Sequence, residues 1–160
     1  MHIDSAIYND FHLYIDRISN NKNTFNIDNF KNVDYLKSLY SSYEPSITIH
    51  DYIDRIIKYI YKNDSNIDGL IVNAIVLLKR IMKFIIINNY NIHRLLAGVL
   101  MISQKVYDDI PHNNYTWAKL CGVKIKDINK IELDILQTID YNIFIKYEEM
   151  ITVIKSIKYL

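Results

Sequence analysis

Apolar residues recur along this chain at steps of three and four, the spacing that gathers them on one side of a helix. Ile3, Ile7, Phe11, Ile15 and Ile18 form such a stripe and predict a first amphipathic helix over about residues 3–19. The polar, Asn-rich run SNNKNTFNIDNFKN beyond it predicts a loop or linker, with Phe25, Ile27 and Phe30 as anchors. A short helix from Val33 to Tyr40 leads to a loop holding Pro45. Thr48 and Asp51 then make a capping-box-like start, because a hydroxyl can accept a free backbone N–H and a carboxylate suits the positive end of a helix. Ile49, Ile53, Ile56, Ile57 and Ile60 supply the buried stripe of the helix they open. Ser65 with Asp68 repeats the signal for a longer helix to about Ile87, apolar nearly all round and therefore expected at the centre.

Asn91 is the predicted cap of a helix in which Ile92, Leu95, Leu96, Val99, Leu100, Ile102 and Val106 pack inward. The segment Asp108-Asp109-Ile110-Pro111 ends it, since proline lacks an amide donor and restricts the residue before it. Asn114 is the expected cap of a short helix through Leu120, closed by Gly122 in the left-handed conformation. Ile125, Ile128, Ile131, Ile135, Leu136 and Ile139 mark a further helix. Past a turn at Asp140–Asn142, Tyr147, Met150, Ile151 and Ile154 mark the last.

Three glycines and two prolines in 160 residues are too few punctuators for a strand-rich domain. Periodicity therefore outweighs the strand preference of isoleucine, which supplies roughly one residue in five. The length suits a single domain at about 100–200 residues each, and such a chain buries about 70% of its unfolded surface without a staple. Nineteen basic against eighteen acidic residues leave a formal charge of +1, which argues against nucleic acid or an anionic membrane as the partner of the whole chain. The greasiest stretch, Leu70 to Ile87, is broken by Asn73, Lys79, Arg80 and Lys83, whereas a membrane span needs about 20 mostly apolar residues. The start MHIDSAIYND lacks the pattern of a signal peptide, and the single cysteine, Cys121, cannot form an intrachain disulfide. The expected setting is a reducing interior: cytoplasm, nucleus or both.

Catalytic chemistry has little support. No G-x-S-x-G, Gly-rich phosphate loop or H-E-x-x-H occurs, and His2, His12, His50, His93 and His112 lie in separate segments without i,i+4 pairing. Cys121 has no recognisable activating constellation. The expectation is a protein with no catalytic residue, no metal site and no cofactor.

The most specific signal runs from Leu95 to Phe144. It comprises Lys105 late in a helix that contains small residues, the paired Asp108 and Asp109, the run NN-x-x-W-A-K from Asn113 to Lys119, Gly122, and N-x-x-E-L from Asn129 to Leu133. This ordered set resembles a cyclin box, and within cyclins the phosphate-regulon and plant U-type (P/U) group. PSITIHDYIDRIIKYI, Pro45 to Ile60, is similar to that group's entry into its first box helix. The resemblance implies an all-α fold, a five-helix cyclin box over residues 45–145. An N-terminal helix and linker, residues 1–44, and a C-terminal helix, residues 146–160, would flank it. After Ile145 only about 15 residues remain, too few for a second box.

Ile102, Lys105 and Val106 stand at i, i+3 and i+4 and share a helix face; Glu132 and Leu136 share another. Charges framed by apolar neighbours suit an interface, although spacing alone fits solvated charges, or a Lys105–Glu132 pair, better. The resemblance reverses that preference, because in cyclins the matching lysine and glutamate engage the kinase near its C-helix. It implies a kinase-binding face of Lys105, Glu132, Ile102, Val106 and Leu136, extended by Tyr141 and Ile143. The partner would be a cyclin-dependent serine/threonine kinase, which this chain would bind and activate. A cyclin-fold adaptor or transcription-linked binding protein that activates no kinase is the alternative.

Two positions depart from the cyclin pattern. Cyclins usually pair an arginine of the first box helix with an aspartate of the second; Arg55 fits the first, but Lys79 stands where the aspartate is expected. Asp51, one turn before Arg55, is the expected substitute, ahead of Asp54. Lys124 occupies a place where the group often has a capping serine, so that helix start is expected to fray or to use another partner.

Overall fold

The apolar stripes become helices. The computed structural model describes residues 6–20, 34–62 and 67–158, and among them the chain is all-α, with no strand. The helices are α1 (Ala6–Ser19), α2 (Ile49–Tyr61), α3 (Ile67–Ile81), α4 (Ile92–Tyr107), α5 (Asn114–Cys121), α6 (Ile125–Thr138) and α7 (Tyr147–Lys158), with a 3-10 helix at Asp34–Leu39 between α1 and α2. The expected positions Ile3, Phe25, Ile27, Phe30, Val33 and Ser65 lie outside the described residues.

Helix α4 forms the centre. It is buried almost continuously from Ile92 to Gln104 and lies against α2, α3, α5, α6 and the 3-10 helix. Gly98 permits its close approach to α6: a Cβ there would collide with the Ile135 Cδ1 atom and stand 2.9 Å from Ile131 Cγ2. Helix α3 is the other deeply buried element, and α1 and α7 pack on it and on each other. Trp117 of α5 is fully buried, its indole N–H donating to Gln104 Oε1 at 3.0 Å. That oxygen also accepts the backbone N–H of His112 at 3.2 Å, tying the proline loop to α4. Asp134 of α6 is fully buried but paired with Lys130 at 2.7 Å, and it accepts the Ser38 hydroxyl at 2.5 Å, which anchors the 3-10 helix. Burial of that carboxylate is tolerable because both oxygens are satisfied.

Helix ends differ from expectation in three places. Thr48 caps α2 as its spacing predicts, accepting Asp51 N–H at 3.1 Å. Helix α3, however, stops at Ile81 rather than Ile87: Ile85 and Ile87 are buried while Ile86 between them is partly exposed, a two-residue alternation that belongs to extended chain. Asn91 precedes α4 without a capping bond. Its side chain accepts Asn88 N–H at 2.9 Å and donates to Ile86 carbonyl at 2.8 Å, holding that extended stretch. Asn113, not Asn114, caps α5 by accepting Thr116 N–H at 2.9 Å, and Gly122 closes the helix at φ 68°. In α7 the inward stripe is Met150, Val153, Ile154 and Ile157, with Tyr147 exposed rather than packed. Lys124 makes no side-chain cap on α6, in keeping with the missing serine.

Candidate functional site

Three helices deliver one polar centre. Lys105 comes from the last turn of α4, Asn114 from the first position of α5 and Glu132 from the middle of α6. The Lys105 ammonium lies 2.6 Å from Glu132 Oε1 and also donates to Asn114 Oδ1. The Asn114 amide in turn donates to Glu132 Oε2 and to Asn129 Oδ1, each at 2.7 Å. Each carboxylate oxygen therefore has a partner, and so does the amide oxygen. The side chains remain 30% exposed at Lys105 and 18% at Glu132, so the centre is held in shape yet partly open to solvent.

The apolar residues named with this centre take different depths. Val106 is 46% exposed beside Lys105, and Leu136 is half-buried one turn beyond Glu132. Ile102 is only 3% exposed: it belongs to the core and supports the face from beneath instead of presenting its own surface. Tyr141 is 57% exposed, whereas Ile143 is half-buried against the core.

Tyr141 is presented by a closed turn. Asp140 and Tyr141 both have left-handed backbone, at φ 52° and 54°; Tyr141 N–H donates to Leu136 carbonyl at 2.7 Å and Asp140 N–H to Gln137 carbonyl at 3.1 Å. That is the Schellman pair of bonds, made here without the glycine that usually takes the left-handed place. Arg80 of α3 fixes the chain between this turn and α7: it donates to the carbonyls of Asn142 and of Phe144, the latter at 3.0 Å, and pairs with Glu149 at 2.7 Å.

Asn114 and Arg80 are the residues that sequence reasoning did not single out as part of the site. The doubled asparagine was visible, but which member caps and which turns inward is decided by the arrival of α6. Arg80 carried no signal beyond an arginine late in an apolar helix.

Arg55 does not pair with Asp51. Asp51 accepts the Thr48 hydroxyl at 2.7 Å, and the Arg55 guanidinium lies over the Tyr52 ring, 5.4 Å from its centroid. An exposed guanidinium on an aromatic face is an adequate resting place once the usual carboxylate is gone. Cys121 is buried, and burial pushes its thiol up to about 11, so it is no nucleophile at neutral pH. Among the described residues no group of three or more His, Cys, Asp or Glu side chains is arranged to hold a metal ion, and no helix is long and apolar enough to cross a membrane.

A family model described as Cyclin matches residues 19–143, a span that takes in α2 to α6 and the whole Lys105–Asn114–Glu132 centre. No curated protein matches the chain.

Proposed function

Because the chain belongs to the cyclin family, we propose that it is a regulatory subunit that binds and activates a cyclin-dependent serine/threonine protein kinase. The observation that carries this reading is the Lys105–Asn114–Glu132 centre, charged groups that fix one another in place and stay within reach of solvent. Its charges would set the orientation of a partner, and Val106, Leu136, Tyr141 and Ile143 would add apolar contact. Docked in this way, the protein would hold the kinase C-helix inward so that the kinase Lys–Glu ion pair forms, and would help to order the activation loop. It would add no catalytic group; ATP, magnesium and phosphoryl transfer belong to the kinase. Such a partner puts the protein inside the cell, in cytoplasm or nucleus.

Within the family we assign the chain to the P/U group, with its box at residues 45–145. The resemblance of the run Asn113 to Lys119 to that group supports this; in the fold Asn113 caps α5, Asn114 joins the polar centre and Trp117 fills the core. Affinity capture with this chain from its native cell, followed by a kinase assay on the eluate, tests the proposal. Phosphotransfer that depends on the bait is expected; stable partners without any kinase would favour the adaptor reading.

A further inference from the structure

A cavity of about 280 Å³ opens where α1, the end of α3 and α7 meet, walled by Tyr14, Arg17, Ile18, Lys79, Met82 and Ser156. It lies just below the size range of about 300–1,000 Å³ for drug-sized ligands, so its occupant is small. Neither cation of the wall forms an ion pair with a carboxylate among the described residues. Lys79 donates to the Ser156 hydroxyl at 2.9 Å and stands 5.9 Å from the Tyr14 ring centroid. Burial lowers its pKa, the mark of an ammonium drawn out of water without a counter-ion. Tyr14 is 7% exposed, and its hydroxyl meets only the Met82 sulfur, at 3.8 Å, a weak acceptor. Burial raises that phenol to about 12, so it remains a proton donor at neutral pH.

Two cations and a buried phenol thus line one cavity, and no carboxylate is among its lining residues. We propose that the cavity binds the phosphoryl group of a small phosphomonoester between Lys79 and Arg17, with the Tyr14 hydroxyl as a third donor. A phosphomonoester carries a charge of about −1.5 to −2 at neutral pH, which matches two cations better than a carboxylate does. The arginine fork suits its oxygens. Ile18 and Met82 give its carbon body an apolar wall, which inorganic phosphate would leave unused. Bound there, the ester would join α1 and α7 to α3 and stabilise the docking of both flanking helices. None of this depends on a kinase.

Isothermal titration of the full chain with phenyl phosphate and with inorganic phosphate, at ionic strength matched with chloride, tests the assignment. Saturable binding of phenyl phosphate is expected, tighter than that of inorganic phosphate, together with a rise in thermal midpoint. Lys79→Gln and Arg17→Gln should each weaken it about ten-fold or more, the loss of one charge-assisted contact, and Tyr14→Phe should weaken it less. Arg17 is exposed, so its variant keeps the test sound even if Lys79→Gln unfolds. Absence of saturable binding, or binding unchanged in Arg17→Gln, would overturn the site; equal affinity for inorganic phosphate would overturn the ester.

Discussion

Single side chains clasp α1 to α2. The rings of His12 and His50 stack with centroids 4.8 Å apart and Nδ1 atoms 2.5 Å apart, while their Nε2 atoms face Asp54 at 3.1 Å and Asp16 at 2.7 Å. Tyr8 also donates to Asp54, and Lys58 approaches it at 3.4 Å. Across the Nδ1 contact one ring donates and the other accepts, so there is room for one proton and not two. Burial, and then the neighbouring His50, lower the pKa of His12 against the opposing pull of Asp54 and Asp16; burial likewise lowers that of His93. A histidine whose folded pKa lies below its unfolded value of about 6.5 binds fewer protons when folded. Stability is therefore full above about pH 6.5 and falls as pH drops toward the folded values. Urea unfolding at points between about pH 7.5 and 5 should show this loss, reduced in His12→Gln; a flat profile would contradict it. Cys121 gives a second expectation at this scale. With its thiol pushed up to about 11, iodoacetamide at neutral pH should label the native chain far more slowly than the urea-unfolded one.

Helices were legible from the chain because their stripes are long and regular, and two glycines show what holds those helices together. Gly98→Ala would force α4 away from Ile135 and Ile131 and should cost about 1–3 kcal/mol. Gly122→Ala meets nothing within 4 Å, so its cost, about 1–2 kcal/mol, comes from the left-handed backbone alone. Denaturant midpoints of the two variants should fall accordingly, with the native fluorescence of Trp117 unchanged in the second. Helix ends were less legible, for a physical reason. The run Phe84 to Ile87 is apolar at every position, so periodicity could not tell a buried helical turn from extended chain, and tertiary packing chose the latter. Caps failed similarly: Asn91 was the right residue type beside the right helix, but its amide found better partners in the preceding loop.

At the scale of the molecule, α4 supports everything: α6 and α5 bring Glu132 and Asn114 to its last turn, and α3 holds the α6–α7 loop through Arg80. Lys105 and Glu132 could be singled out from their apolar neighbours and their family pattern. The part played by Asn114 could not, because it exists only where three helices converge. Nor could the depth of Ile102, since a residue next to a site on a helix face can sit above or below it. If this convergence docks a kinase as proposed, one titration reads it directly. The kinase recovered by affinity capture is titrated with wild type, Lys105→Ala, Glu132→Ala and the double variant at matched helicity, reading both affinity and activation. Breaking a hydrogen-bonded interfacial charge pair commonly costs about 2–5 kcal/mol, so each single variant should bind roughly 30-fold more weakly or worse. The double variant should lose less than the sum of the two. Single variants that bind and activate the kinase as wild type does would contradict docking through this centre, whatever their fold.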